Sequence, residues 1–315
     1  MKKLNQEKIT GYIYSFGEAN GRNMLEAKVS GPKSKTPNTP YIAGVINIAT
    51  DEEGLNVIPV HFTYVTATYG SSGKANKNYD VLQRILAEGK TWITDGKDAA
   101  TKVSIDGAIA LNDWYKDNDL VSTKVNEGSF IEIINQLPEE SERATFRVDM
   151  VITNVSHIDA DEEKGTPEMA KIKGGIFNFR NEVLPIDVVV KNPQGMAYFE
   201  GLEASSSNPV FTKIWGRINC ETKVTRVEEE SAFGEASVRT YTHQSREWIV
   251  TGVAKAPYEF GEKEVLTAEE LTKAMQDRQV KLAELKKQTD ERKNGFNAAP
   301  AKATPVAAKT ADFNF

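Results

Sequence analysis

The sequence predicts an all-β fold of two Greek-key barrels in tandem, followed by a C-terminal helix and a disordered tail. Three observations carry this. Over residues 1–262, short stretches rich in Val, Ile, Tyr, Phe and Thr alternate with Gly, Pro, Asn and Asp clusters, the punctuation of a barrel or sandwich. The order of those stretches repeats once along the chain. After residue 262 the pattern turns helical and then rich in Ala, Pro, Lys and Thr.

In the first half the strand-like segments are "ITGYIYSF", "MLEAKVSG", "YIAGVINIA", "LNVIPVHFTYV", "KVSIDGAIAL" and "GSFIEIINQL". One helix interrupts them, "NYDVLQRILAEG", with Val81, Leu82, Ile85 and Leu86 at helical spacing and Gly89 as its stop. In the second half "RATFRVDMVITNVSHI" opens with the same strand character. "GGIFNFRNEVLPIDVVV" then parallels "AGVINIATDEEGLNVIPVHFTYV", with Leu184-Pro185-Ile186 matching Ile58-Pro59-Val60. "TKIWGRI" (Thr212 to Ile218) parallels "VSIDGAI" (Val103 to Ile109) through a shared Ile-x-Gly-x-Ile. Three collinear matches imply an internal duplication.

Each unit thus holds about five strands with a glycine inside a late one, where a small closed barrel coils sharply. The architecture this suggests is the OB-fold, a five-stranded Greek-key barrel. The first barrel is assigned to residues 1–140 and the second to 141–262. "GMAYFEGLEASS" is the second unit's shorter counterpart of the inserted helix.

Residues 263–293 form the C-terminal helix: Thr267 and Glu270 make a capping box, and Leu271, Met275, Leu282 and Leu285 a narrow apolar stripe. That stripe suits packing on a barrel or pairing with another copy. Residues 294–315 have the composition of a disordered tail, yet its tip carries Asp312, Phe313 and Phe315.

Composition narrows the function. No apolar run approaches the ~20 residues of a membrane span, so no membrane is expected. "MKKLNQEKIT" lacks the apolar core of a secretory signal, which points to the cytoplasm. Cys220 is the only cysteine, excluding an internal disulfide and cysteine-based zinc, and only His61, His157 and His243 are available as imidazoles. The net charge is -6, and residues 1–266 hold 30 basic against 38 acidic residues, so any polyanion site must be a local basic groove on an acidic body.

Catalytic motifs fail on inspection. "GSSGKANK" would need glycine where Thr68 stands and Ser or Thr where Ala75 stands to be a phosphate loop. "HIDADEEKG" places Lys164 and Ala170 where a calcium loop requires glycine and glutamate. No nucleophile-base order is present, so neither an enzyme, a metal nor a cofactor is expected.

Aromatic and basic residues on strands offer more. In "FTKIWGRINC", Ile214, Gly216 and Ile218 supply a core face, which turns Trp215 and Arg217 outward together. Such a pair suits unpaired nucleotides, whose base faces duplex DNA hides. Tyr12, Tyr14 and Phe16 share one face of "GYIYSF", as core or as an exposed ladder. Phe177 and Phe179 are read as core, with Arg180 on the opposite face; Lys74 and Lys77, beside Tyr69 and Tyr79, could meet phosphates and bases from a glycine-rich loop or belong to a solvated turn.

With these residues in view, the layout of barrel, barrel, helix and "ADFNF" tip resembles the single-stranded DNA-binding proteins with OB-folds, particularly the divergent ones encoded by bacteriophages. The resemblance implies sequence-independent binding of single-stranded DNA in replication, recombination or repair. It also implies a tail that docks replication and recombination proteins. The tip holds one acidic residue and no proline before Phe315, unlike the usual bacterial tail. Two other readings remain: a phage virion structural or adaptor protein built of tandem barrels, and an RNA-binding accessory subunit that selects the 2′-hydroxyl.

Overall fold

The computed structural model describes residues 3–18, 20–116, 118–161, 166–229, 237–259 and 266–297. The first half contains β1 (Asn5–Phe16), β2 (Glu26–Val29), β3 (Pro40–Ala49), β4 (Val57–Thr66), β5 (Thr68–Tyr69), β6 (Lys74–Ala75), α1 (Lys77–Glu88), α2 (Trp92–Asp95), β7 (Lys102–Lys116) and β8 (Asp119–Ile133). The second contains β9 (Ala144–Ile158), β10 (Met169–Phe177), β11 (Val183–Val190), α3 (Pro193–Glu200), β12 (Val210–Glu229), β13 (Ser237–Val253) and α4 (Ala268–Asn297).

Strand pairing closes two barrels. In the first, β1 pairs antiparallel with β3 and β7, β3 with β4, and β7 with β8, while β4 meets β8 in parallel. In the second, β9 pairs with β10 and β12, β10 with β11, and β12 with β13, while β11 meets β13 in parallel. Numbered within each unit, both rings read 1-2-3-5-4-1, the closed Greek key of the OB-fold. α1 and α3 each fill the connection between the third and fourth strands. Inside, alternate residues are buried: Ile13, Ile46, Val60, Ile105 and Ile131 in the first barrel, Val148, Ile172, Val188, Ile214 and Ile218 in the second.

The duplication is clearest in the fourth strands. The β7–β8 ladder shifts register between Asp106 and Gly107, and the β12–β13 ladder between Trp215 and Gly216. At both bulges a Cβ would strike a carbonyl oxygen, of Glu127 in one barrel and Ile249 in the other, so only glycine allows that approach. The second-strand match is looser. Pro59 faces Asn47, whereas Pro185 faces Gly175, so the shared Gly-x-x-Asn motif sits three residues out of register between the barrels.

The barrels are fused rather than strung together. Asn5 to Ile9 of β1 pair antiparallel with Ala144 to Val148 of β9, making one eleven-stranded sheet. Polar contacts cross this seam: Trp248 Nε1 donates to Glu7 Oε1 at 2.8 Å, Lys124 Nζ meets Asp187 Oδ1 at 2.6 Å, and the Cys220 N–H donates to Asn56 Oδ1 at 2.7 Å. Lys124 and Lys171 outweigh the burial of Asp187 and hold its carboxyl at about 2.

α4 begins at a reciprocal capping box: the Glu270 N–H donates to Thr267 Oγ1 and the Thr267 N–H to Glu270 Oε2, both at 3.1 Å. It packs on its own chain. Leu266, Leu271 and Ala274 cover Val151, Phe177, Val183 and Phe211 on the outside of the second barrel. Further along, Arg278 pairs with Asp113 of the first barrel at 3.1 Å and Lys281 with Glu182 of the second at 2.9 Å. Met275, read as part of the apolar stripe, faces solvent because Ala274 takes the buried position. Among the described residues no helix is long and apolar enough to cross a membrane. The tail tip, Asp312, Phe313 and Phe315, lies outside the described residues.

Candidate nucleic-acid interface

Alternation along β12 buries Ile214, Gly216 and Ile218 and turns Trp215 and Arg217 out. Trp215 is 37% exposed. Part of its cover comes from β13, where a Cβ at Gly252 would collide with the indole, so the ring lies against bare backbone. Across the other edge of β12, the ladder sets Arg147 of β9 opposite Trp215 and Thr145 opposite Arg217. Arg147 and Arg217 are both exposed, and neither has an ion-pair partner among the described residues. Two free guanidinium groups flanking a half-open indole are unusual on a chain of net charge -6. The guanidinium groups fit phosphate oxygens, and the indole fits a base.

The remaining sequence candidates fall elsewhere. Tyr12, Tyr14 and Phe16 do not share a face. A register shift between Ile13 and Ser15 in the β1–β3 ladder turns Phe16 into the main core, while Tyr12 and Tyr14 pack on Trp92 of α2 at centroid distances of 5.5 and 6.0 Å. Tyr12 is itself buried; burial and the neighbouring Glu52 push its hydroxyl pKa up. Glu52 is held at about 2 by hydrogen bonds from Lys97 and Arg143. These rings form a structural nest and present no stacking ladder. Tyr79 is likewise buried, on the inward face of α1, because Asn76 caps that helix and sets its phase. Lys74 and Lys77 are exposed, the first on the β5–β6 hairpin and the second in the opening turn of α1.

Phe177 is buried as read, but Phe179 is 71% exposed, since β10 ends at Phe177 and a turn follows through Asn181 at φ 60°. Arg180 stacks on the Phe179 ring at 5.0 Å. Both line a cleft of about 1050 Å³ beneath α4. Its carboxylates, Asp113, Glu127, Glu182, Asp277 and Glu284, outnumber its cations, and Arg278 and Lys281 are already paired, which suits a polyanion poorly.

Two features escaped the sequence reading. Arg147 sits in a plainly alternating strand, but its place beside Trp215 depends on a ladder between residues 68 positions apart. On the second and third strands of the first barrel, Tyr41 and Tyr64 stack at 4.4 Å with Tyr64 43% exposed, its hydroxyl bonded to Thr36 at 2.8 Å. That face is where OB-folds take oligomeric ligands.

Comparison with known proteins adds the following. Among solved structures, the chain is similar to the wild-type single-stranded DNA binding protein from Thermus aquaticus, with 11% identity and a TM-score of 0.44 over 84% of this chain and 100% of that one. A deletion mutant of the same protein gives 11% identity and a TM-score of 0.45, over 84% and 99%. No curated protein matches the sequence. The YorF family model matches residues 15–288, from the end of β1 into α4, and the chain therefore belongs to the YorF family.

Proposed function

We propose that this protein binds single-stranded DNA without sequence preference, through base stacking on Trp215 and phosphate contacts from Arg147 and Arg217. The observation that carries the reading is the half-open indole between two exposed arginines that lack carboxylate partners among the described residues. Stacking tolerates every base and contributes ~1–3 kcal/mol per base, while a duplex hides its base faces. Tyr41 and Tyr64 offer a second aromatic surface on the first barrel.

In this reading the protein coats unpaired strands in the cytoplasm during replication, recombination or repair, and performs no catalysis itself. Asp312, Phe313 and Phe315 at the tail tip recruit partner proteins. Anisotropy of a labelled oligo-dT tests the binding, with unlabelled single-stranded DNA, duplex and RNA of matched sequence as competitors. Single-stranded DNA should compete best. Equal competition by duplex would overturn the reading, and stronger competition by RNA would move it to an RNA-binding role. Deleting residues 312–315 should leave DNA affinity intact and abolish partner pull-down.

A further inference from the structure

We propose that the Trp215 site continues across the seam between the barrels, as one nucleic-acid track that ends on Phe130 of the first barrel. This rests on the single-stranded DNA reading above and extends it. The ladders spell out the path. Arg217 of β12 faces Thr145 of β9, Thr145 faces Lys8 of β1, Lys8 faces Asp106 of β7, and Asp106 faces Phe130 of β8. All five belong to the outward face; Arg217, Lys8, Asp106 and Phe130 are exposed and Thr145 is half-buried. Trp215, Arg147 and Gln6 form the adjoining row. At ~4.8 Å per strand the track runs about 19 Å, with an aromatic ring near each end.

Only the β1–β9 pairing makes this face continuous, because without it each barrel's surface would end at its own first strand. The charge on the face points to the occupant. Among the described residues Arg147, Arg217 and Lys8 carry no ion pair, and Asp106 beside Lys8 closes none. A second copy of the chain docking here through a two-fold axis would set Arg147, Arg217 and Lys8 of each copy against the same three cations, with Asp106 as the one carboxylate of the two rows to answer them. A phosphodiester backbone supplies the missing anions, and Trp215 and Phe130 supply stacking surfaces for its bases.

The test uses the full chain and an oligo-dT of about 20 nucleotides, longer than one barrel's site. Affinity is measured against salt for the wild type, Lys8→Ala, Lys8→Gln, Phe130→Ala and, as a control, Arg84→Ala on α1, which is ion-paired with Glu88. Either Lys8 variant should reduce the slope of log affinity on log salt by about 0.7. Phe130→Ala should weaken binding roughly 5- to 150-fold. Arg84→Ala should do neither. Wild-type binding that is unchanged by the Lys8 and Phe130 variants, each shown folded by circular dichroism, would overturn the track and leave the Trp215 site standing. No binding by the wild type would overturn the functional reading itself. Should these variants change the sedimentation of the chain and leave DNA binding alone, the face is a contact between copies and the proposal fails.

Discussion

Replacing Glu7 with glutamine isolates the most unusual ionisable group in the seam. Glu7 is 3% exposed, accepts one hydrogen bond from Trp248 Nε1, and leaves Oε2 without a partner. Burial pushes its pKa from 4.5 up to about 8, against the lowering effect of the Trp248 bond. The folded state therefore holds this proton at neutral pH and the unfolded chain does not. With the folded pKa above the unfolded one, the stability is fully present below pH 4.5 and is lost as pH rises toward 8. Each pH unit in that window removes about 1.4 kcal/mol, so the step from pH 6 to 9 should remove roughly 2–3 kcal/mol. On a chain of 315 residues that is a fall in Tm of roughly 3–5 °C.

Glu7→Gln keeps an oxygen for Trp248 and cannot ionise. Its new amide hydrogens cost about 1–3 kcal/mol if they find no acceptor, at every pH alike. Urea unfolding at pH 6 and pH 9 reads the difference between the two proteins, in which titration of His61 and His157 cancels. The variant should lose its disadvantage, or overtake the wild type, at pH 9. Identical pH slopes for both proteins would refute the assignment of a buried, protonated carboxyl at the seam.

Other outcomes follow from the same contacts. Gly107→Ala and Gly216→Ala each drive a Cβ into a backbone carbonyl at a bulge and should destabilise by about 1–3 kcal/mol or more in chemical denaturation. Thr267→Ala removes half of the α4 capping box and should cost about 1 kcal/mol, with α4 amides exchanging faster. Arg278→Ala leaves Asp113, among the described residues, with the Ser122 hydroxyl alone and should cost roughly 1–3 kcal/mol, with increased protease sensitivity of α4. Gly252→Ala pushes the Trp215 indole off β13, so a shift in tryptophan emission and weaker DNA binding should appear together.

Much of the fold was legible because its determinants are local. Period-two alternation marked the barrel strands, the Ile-x-Gly-x-Ile repeat fell on the two fourth strands, and the Thr267–Glu270 box marked the start of α4. Local alternation also set the outward direction of Trp215 and Arg217. It failed at Tyr12, Tyr14 and Phe16, where one extra residue at a bulge reversed the phase, and at Phe179, where the strand stopped before the pattern did. The β1–β9 fusion was invisible, since it depends on pairing across about 140 residues. Arg147, Lys8 and Phe130 join the Trp215 face only through such ladders, so sequence spacing could not have assembled them.

The most direct measurement is tryptophan fluorescence during titration with oligo-dT at low salt, comparing the wild type with Trp215→Phe. Stacking of bases on the Trp215 indole should quench the wild type, with salt reversing it, and the variant should lose most of that quenching, while Trp248 stays buried and Trp114, 40% exposed but eight residues along β7 from Asp106, keeps its emission in both proteins. An unquenched wild type, or equal quenching in Trp215→Phe, would contradict the account.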